Sequence, residues 1–210
     1  MPSNNYIYKM SNAGGMSTVT RYTDMLAGNT TWNPWEPQGA YDALATVTVA
    51  AGATAASITF AGIPTGYKHL QIRAIGRAST SSANNAYITI NGDTGSNYSL
   101  HQVYGDGTNA LASGAATQPS SSVPMFNFSN SSYAANLFGT GIMDILDYAS
   151  TNKYKTVRLI TGTDVNGSGG YIIIRSAGWR NTAAITSLTF TPDGGSSFGQ
   201  YSQFALYGVK

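Results

Sequence analysis

The sequence predicts an all-β fold, and three observations support this prediction. Charged residues make up only 10% of the 210 residues, and Glu36 is the only glutamate. Glu and Lys normally coat exposed helices, so this composition is unfavourable for a helical protein. Short apolar runs are separated by Gly, Asn, Ser and Pro every ten to fifteen residues. That spacing is typical of an antiparallel sandwich or barrel.

The first 40 residues predict an extended arm with at most one short helix, which could not enclose a core of its own. Ser17 or Thr18 would cap that helix and Gly28 would end it. One face would carry Val19, Tyr22, Met25 and Leu26. The helix is followed by "NTTWNPWEPQGAYD", in which Trp32 and Trp35 flank a proline. Two large apolar side chains in such a segment need a surface to bury against.

Residues 41–210 predict a β-sandwich domain with ten or eleven strands. In "KHLQIRAIGR" Leu70, Ile72 and Ala74 alternate with polar residues, which predicts one buried face. "YDALATVTV" places Ala45, Val47 and Val49 on a single face. The run from Ile172 to Ile174 is apolar on both faces and predicts a sheet covered on both sides. "LASGAATQPSSSVP" has no such pattern and predicts a long surface loop.

The motif most suggestive of chemistry is "GDTGSN", which resembles the Asp-Thr-Gly signature of aspartic proteases. Those enzymes need two aspartates that share a proton. The chain has one such motif, so Asp93 could act only across a homodimer axis. The preceding pair, Asn91-Gly92, is typical of a tight turn. We therefore interpret Asp93 as a turn residue.

Other polar residues are assigned structural roles as well. Asp164 and Asn166 could offer oxygens to calcium, but the closing acid of such a loop is missing, and Asn166-Gly167 predicts a two-residue hairpin turn. Asp144 and Asp147 have odd spacing, so on one strand they would face opposite sides and could not form an acid/base couple. The only histidines, His69 and His101, are expected to be surface or hydrogen-bonded residues. The sequence predicts no catalytic residues, no metal site and no cofactor.

The charge and the apolar segments limit the partners. The net charge is +2 with no Lys or Arg run, which predicts no nucleic-acid binding. The N-terminus does not have the pattern of a secretory signal, and the longest apolar run is too short to span a bilayer. Cysteine is absent, so the chain has neither disulfides nor thiolate metal ligands. The chain also contains many aromatic residues: fourteen tyrosines, seven phenylalanines and three tryptophans. Such residues could pack in the core, form subunit contacts or stack on sugar rings. Trp179 is expected in the core.

Five segments between residue 57 and the C-terminus resemble a family of small structural proteins of tailed bacteriophages, especially phages of marine bacteria and cyanobacteria. These segments are "SITFAGIPTGYKHLQIRAIGR", "INGDTGSNYSLH", "MDILDYASTNKYKTVR", "AGWRNTAAITSLTFTPDGGSSF" and "SQFALYGVK". The resemblance extends over about four-fifths of the chain, from Tyr41 onward. It implies a jelly-roll module of the virion, without deciding between capsid and tail.

The resemblance and the composition together lead to three hypotheses. The first is a non-enzymatic capsid decoration (cement) protein at the virion surface, made in the host cytoplasm and assembled as a homotrimer. Its arm residues Tyr22, Met25, Leu26, Trp32 and Trp35 would contact the major capsid protein or another virion protein. The second is a tail-fibre or receptor-binding protein that recognises host surface glycans, which exposed aromatic residues in the distal loops would favour. The third is the homodimeric protease that uses Asp93.

Overall fold

The structure is a computed structural model that describes residues 40–166 and 169–210. The predicted arm, its helix and its five contact residues lie outside the described residues, and the division into arm and body stays a prediction. The described part contains twelve β-strands and one 3-10 turn, Ser120–Ser122. The strands are β1 (Tyr41–Thr48), β2 (Ile58–Ala61), β3 (His69–Gly76), β4 (Asn85–Ile90), β5 (Tyr98–Gly105), β6 (Ala110–Gln118), β7 (Pro124–Asn127), β8 (Gly139–Leu146), β9 (Lys155–Asp164), β10 (Gly170–Trp179), β11 (Ser187–Pro192) and β12 (Gln203–Val209).

These strands form two antiparallel sheets. The larger has eight strands in the order β1-β12-β3-β8-β9-β10-β5-β6, and the smaller has four in the order β2-β11-β4-β7. The chain changes sheet at every step from β1 to β5, again from β6 through β7 to β8, and from β10 through β11 to β12. This is the connectivity of a jelly roll with two added hairpins, β5-β6 and β9-β10, which widen the larger sheet. The predicted all-β, jelly-roll-like sandwich is confirmed.

Side chains from the facing surfaces of the two sheets form the core. Alternation along β3 buries Leu70, Ile72 and Ala74, as predicted. Phe204 of β12 lies at the centre of an aromatic cluster, with ring centroids 5.0–5.8 Å from four neighbours: Phe126, Phe128, Phe190 and Phe198. Trp179 is also buried, as the sequence predicted. The core therefore holds the two sheets together along their whole overlap.

Two predictions about edge strands were wrong. The segment predicted as a long surface loop, "LASGAATQPSSSVP", contains most of β6, the edge strand paired with β5. A register shift between Ala43 and Ala45 breaks the alternation of β1, so Ala45 is exposed while Leu44 and Val47 pack against the core. Both errors concern edge strands, where pairing with a single neighbour decides the conformation and side-chain pattern carries little information.

Candidate functional site

The outer face of the eight-stranded sheet is the face that points away from the four-stranded sheet. Strict alternation along β8 and β9 sends every second side chain onto it. On β10, Ile173 is buried while Ile172 and Ile174 are 65% and 53% exposed. The prediction that this run is covered on both sides was wrong for the described part of the chain, because the four-stranded sheet covers one side only.

Five exposed aliphatic residues cluster on the outer face, and we call them the aliphatic patch: Val103, Ile142, Ile160, Ile172 and Ile174. Four of them lie in one row across the strands, because the register pairs Ile142 with Ile160, Ile160 with Ile174, and Ile174 with Val103. Directly opposite residues on neighbouring strands bring their side chains close together. The row is therefore a continuous apolar strip across β8, β9, β10 and β5.

Two open grooves lie along this strip. One, of about 720 Å³, runs toward the β9–β10 connection and is lined by Gly162 and Ile172 among others. The other, of about 870 Å³, is lined by Val103 and Ile174. Both grooves share Ile142 and Ile160. The aliphatic strip is thus flanked by shallow concavities that can receive protruding apolar side chains.

Polar residues lie beside the strip. Gln71 donates a hydrogen bond to Asp144 (2.9 Å) and accepts one from Arg73 Nε (2.9 Å). Arg73 also lies 5.8 Å and 5.3 Å from the ring centres of Tyr41 and Tyr207. Asp144 pairs in register with Arg158 on β9. The β1-β12-β3 side of the face is therefore polar and aromatic, and the opposite side is aliphatic.

At one end of the sheet, two tyrosines approach each other from neighbouring strands. The rings of Tyr104 and Tyr171 meet edge to face with centroids 6.2 Å apart, and Tyr171 is 41% exposed. Asp106 and Asp164 line the same groove as Tyr171. Backbone and side-chain groups of Asn109, together with the Thr108 amide, already hold the Asp106 carboxylate. The register places the two rings on the side of the sheet opposite the aliphatic patch, with Ile173 and Thr163.

The Asp93 segment forms the predicted turn. Asn91 and Gly92 have φ values of 51° and 71°, as a type I′ turn requires. The Asp93 carboxylate accepts hydrogen bonds from Trp179 Nε1 (2.7 Å), the Asn97 side chain (2.9 Å) and the Gly95 amide (2.9 Å). The hydrogen bond from Trp179 contributes most to lowering the pKa of the Asp93 carboxyl, and the bonds from Asn97 and Gly95 lower it further. The carboxylate therefore anchors a buried indole to the turn.

The other predicted polar residues also lie apart. Asp144 contacts Gln71, whereas Asp147 pairs with Lys153, so the two aspartates do not form a couple. His69 Nδ1 accepts a hydrogen bond from the Asp147 amide (3.0 Å), while His101 lies on the outer face.

Asp164 accepts a hydrogen bond from the Asn166 amide (2.8 Å) in a connection of five residues, 165–169, rather than the predicted two. The two residues following Asn166 in this connection lie outside the described part.

Two buried cations, which the sequence analysis did not single out, stabilise the sandwich. Arg175 donates to the Met125 carbonyl (2.6 Å) and to Gln102 (2.7 Å), which links β10 to β7 and β5. Burial lowers the pKa of Arg175 to about 10, so it remains charged at neutral pH. The Lys155 ammonium donates to three backbone carbonyls of the surrounding loops, and burial lowers its pKa. Both cations hold backbone segments together.

Within residues 40–166 and 169–210, no cluster of three or more His, Cys, Asp or Glu is placed to hold a metal ion. No helix in that part is long and apolar enough to cross a membrane. Comparison with protein-family models, with curated proteins and with solved structures found no significant match.

Proposed function

We propose that this chain is a non-enzymatic structural protein of a tailed-bacteriophage virion, and specifically a capsid decoration (cement) protein. The observation that carries the proposal is the aliphatic patch on the outer sheet face. Five exposed Val and Ile side chains on rigid paired strands suit contact with another protein surface. The ionisable groups beside the patch and in the turns are held by hydrogen bonds that serve the fold.

The fold and the sequence resemblance support the same class. Jelly rolls are common in viral capsid proteins and in lectins. This is an analogy at the level of fold, since one fold hosts many functions. The resemblance to phage structural proteins covers strands of both sheets. It supports a role in the virion in addition to the fold-level analogy.

The proposed attachment is mechanical. Tyr22, Leu26, Trp32 and Trp35 of the arm would bury several hundred Å² of apolar surface on the major capsid protein or another virion protein, roughly 10 kcal/mol before ordering costs at about 25 cal/mol per Å². A homotrimer, which the class implies, would multiply a modest arm affinity by avidity. The body would then be displayed at the virion surface.

A second candidate function is recognition of host surface glycans by a tail-fibre or receptor-binding protein. The half-exposed ring of Tyr171, which packs edge to face on Tyr104 at one end of the sheet, favours it. Sugars stack on exposed aromatic rings while polar groups fix their orientation. Binding to a glycan array that Tyr171→Ala abolishes would favour this function over decoration.

Co-sedimentation with phage particles that lack the protein tests the main proposal. The full chain is expected to sediment with the particles, and Trp32→Ala/Trp35→Ala in the full chain should remain in the supernatant. Tyr154→Ala removes an equally bulky aromatic ring, 61% exposed on the body, and serves as the matched control that still binds. Equal binding by the double variant and the control would contradict attachment through the arm.

A further inference from the structure

The strand register fixes how the outer face is laid out. The central row is the aliphatic strip: Ile142, Ile160, Ile174 and Val103 on β8, β9, β10 and β5. On one side lies a row of alternating small and large residues: Thr140, Gly162, Ile172 and Gly105. On the other lies a polar row: Asp144, Arg158, Ser176 and His101. All three rows run across the same four strands.

We propose that two copies of this chain pair face to face through the outer sheet, about a two-fold axis parallel to the strands and between β9 and β10. With such an axis, each row faces the same row of the partner. β9 then lies opposite the partner's β10, and β8 lies opposite the partner's β5. The same patch is then used on both copies, as a two-fold interface requires. The pairing goes beyond the proposed function, because it assigns the patch to contact between two copies of this chain and leaves attachment to the particle to the arm.

Each row is self-complementary under this operation. In the central row, Ile160 meets the partner's Ile174, and Ile142 meets the partner's Val103. In the row of small and large residues, Ile172, the most exposed residue of the patch, lies opposite the partner's Gly162. Interfaces and sheet sandwiches pack by this kind of interdigitation.

The polar row is also compatible with the axis. Asp144 faces the partner's His101, and Arg158 faces the partner's Ser176, so no like charges meet. An axis running along β9 itself would instead set Arg158 against the partner's Arg158, and like charges held that close are destabilising. Charge therefore disfavours an axis along β9, and the position between β9 and β10 is the one that centres the four residues of the aliphatic strip.

The size of the overlapping face is compatible with a stable interface. With this axis six strands overlap, β3-β8-β9-β10-β5-β6. Six strands about 4.8 Å apart, rising about 3.3 Å per residue over about eight residues, give a face of about 630 Å² on each copy. Standard protein interfaces bury about 1,200–2,000 Å² in total, so this face lies at the lower end of that range.

Sedimentation analysis of the full chain tests the pairing. The expected mass is an even multiple of 22.0 kDa, two chains or, if trimers also form, six. Ile160→Asp places two charges in each interface, and we expect it to raise the dissociation constant at least about 100-fold while circular dichroism stays unchanged. Leu111→Asp is the matched control: it is similarly exposed on the same sheet but points to the opposite side, and should leave the mass unchanged. A monomer, a trimer, or an even-numbered assembly that Ile160→Asp does not weaken would overturn the proposal.

Site-directed cross-linking tests the position of the axis. The chain has no cysteine, so single introduced cysteines give unambiguous products. Face-to-face sheets lie about 10 Å apart, beyond the reach of a disulfide, so a short bismaleimide is used. Ile142→Cys mixed with Val103→Cys should give a covalent dimer, because these positions lie opposite each other at about 10 Å, whereas two copies of either one alone lie about 17 Å apart. Ile142→Cys mixed with Leu111→Cys should therefore give none. Linking of Ile142→Cys to itself as strong as its linking to Val103→Cys would overturn the assigned axis.

Discussion

Asp93 provides the sharpest test of whether the "GDTGSN" segment has a structural role. Asp93→Asn keeps the size of the side chain but removes its charge and replaces one acceptor oxygen with a donor. If the oxygen of the new side-chain amide accepts the bonds from Trp179 and Asn97, its NH₂ group faces the Gly95 amide, and two donors then meet. At least one bond is therefore lost, and the remaining two become neutral.

The expected cost follows from these bonds. Hydrogen bonds to charged groups contribute about 1.5–3 kcal/mol each and neutral ones about 1 kcal/mol, so replacing three charged bonds by two neutral ones costs at least about 2.5 kcal/mol. For a chain of this size each kcal/mol lowers Tm by about 2–4 °C, which gives a decrease of roughly 5–10 °C. Asp164→Asn is the control, because Asp164 accepts one hydrogen bond, from the Asn166 amide, that an amide oxygen can still accept. Thermal unfolding followed by circular dichroism measures both.

The pH dependence gives an independent check on the same contact. The folded-state pKa of Asp93 lies below its ordinary value of 3.8, so its contribution is present above pH 3.8 and is lost as the pH falls through the folded pKa. The difference in stability between the wild type and Asp93→Asn should therefore be constant near neutral pH and shrink below about pH 4. Equal Tm values at pH 7, or a difference that does not change in acid, would refute the structural role.

Two further predictions concern packing and loop anchoring. Gly141→Ala would overlap the ring of Phe126 and should cost about 1–3 kcal/mol in chemical denaturation, whereas Gly66→Ala, with open space around it, should change little. Arg77→Ala removes hydrogen bonds to three backbone carbonyls in the loop between β7 and β8, so amide hydrogen exchange there should accelerate. Arg180→Ala, which removes one exposed bond, should leave that loop unchanged.

Local patterns predicted most of the fold. Alternation along β3 identified its buried side, and Asn91-Gly92 identified a turn with two positive φ values, because both signals depend only on neighbouring residues. β6 was missed because an edge strand of Ala, Ser and Gly takes its conformation from pairing with β5 and leaves no periodic pattern.

The candidate site was harder to predict than the fold. The apolar residues Ile172 and Ile174 were recognised, but periodicity cannot tell whether a second layer of the same chain covers them. The residue that donates a hydrogen bond to Asp93 could not be identified from local sequence patterns either. Trp179 lies 86 residues away and reaches the turn only because β10 joins the larger sheet. Long-range contacts of this kind depend on topology, which spacing along the chain does not encode.

Fractionation of phage particles tests the proposed virion role directly. Under that proposal a tailed phage encodes this chain, so the lysate of such a phage is banded on a density gradient and the chain is measured in each fraction by quantitative mass spectrometry. We expect the chain to migrate with intact particles at a fixed number of copies per major capsid protein. Recovery of the chain only in the particle-free lysate would contradict the proposed role.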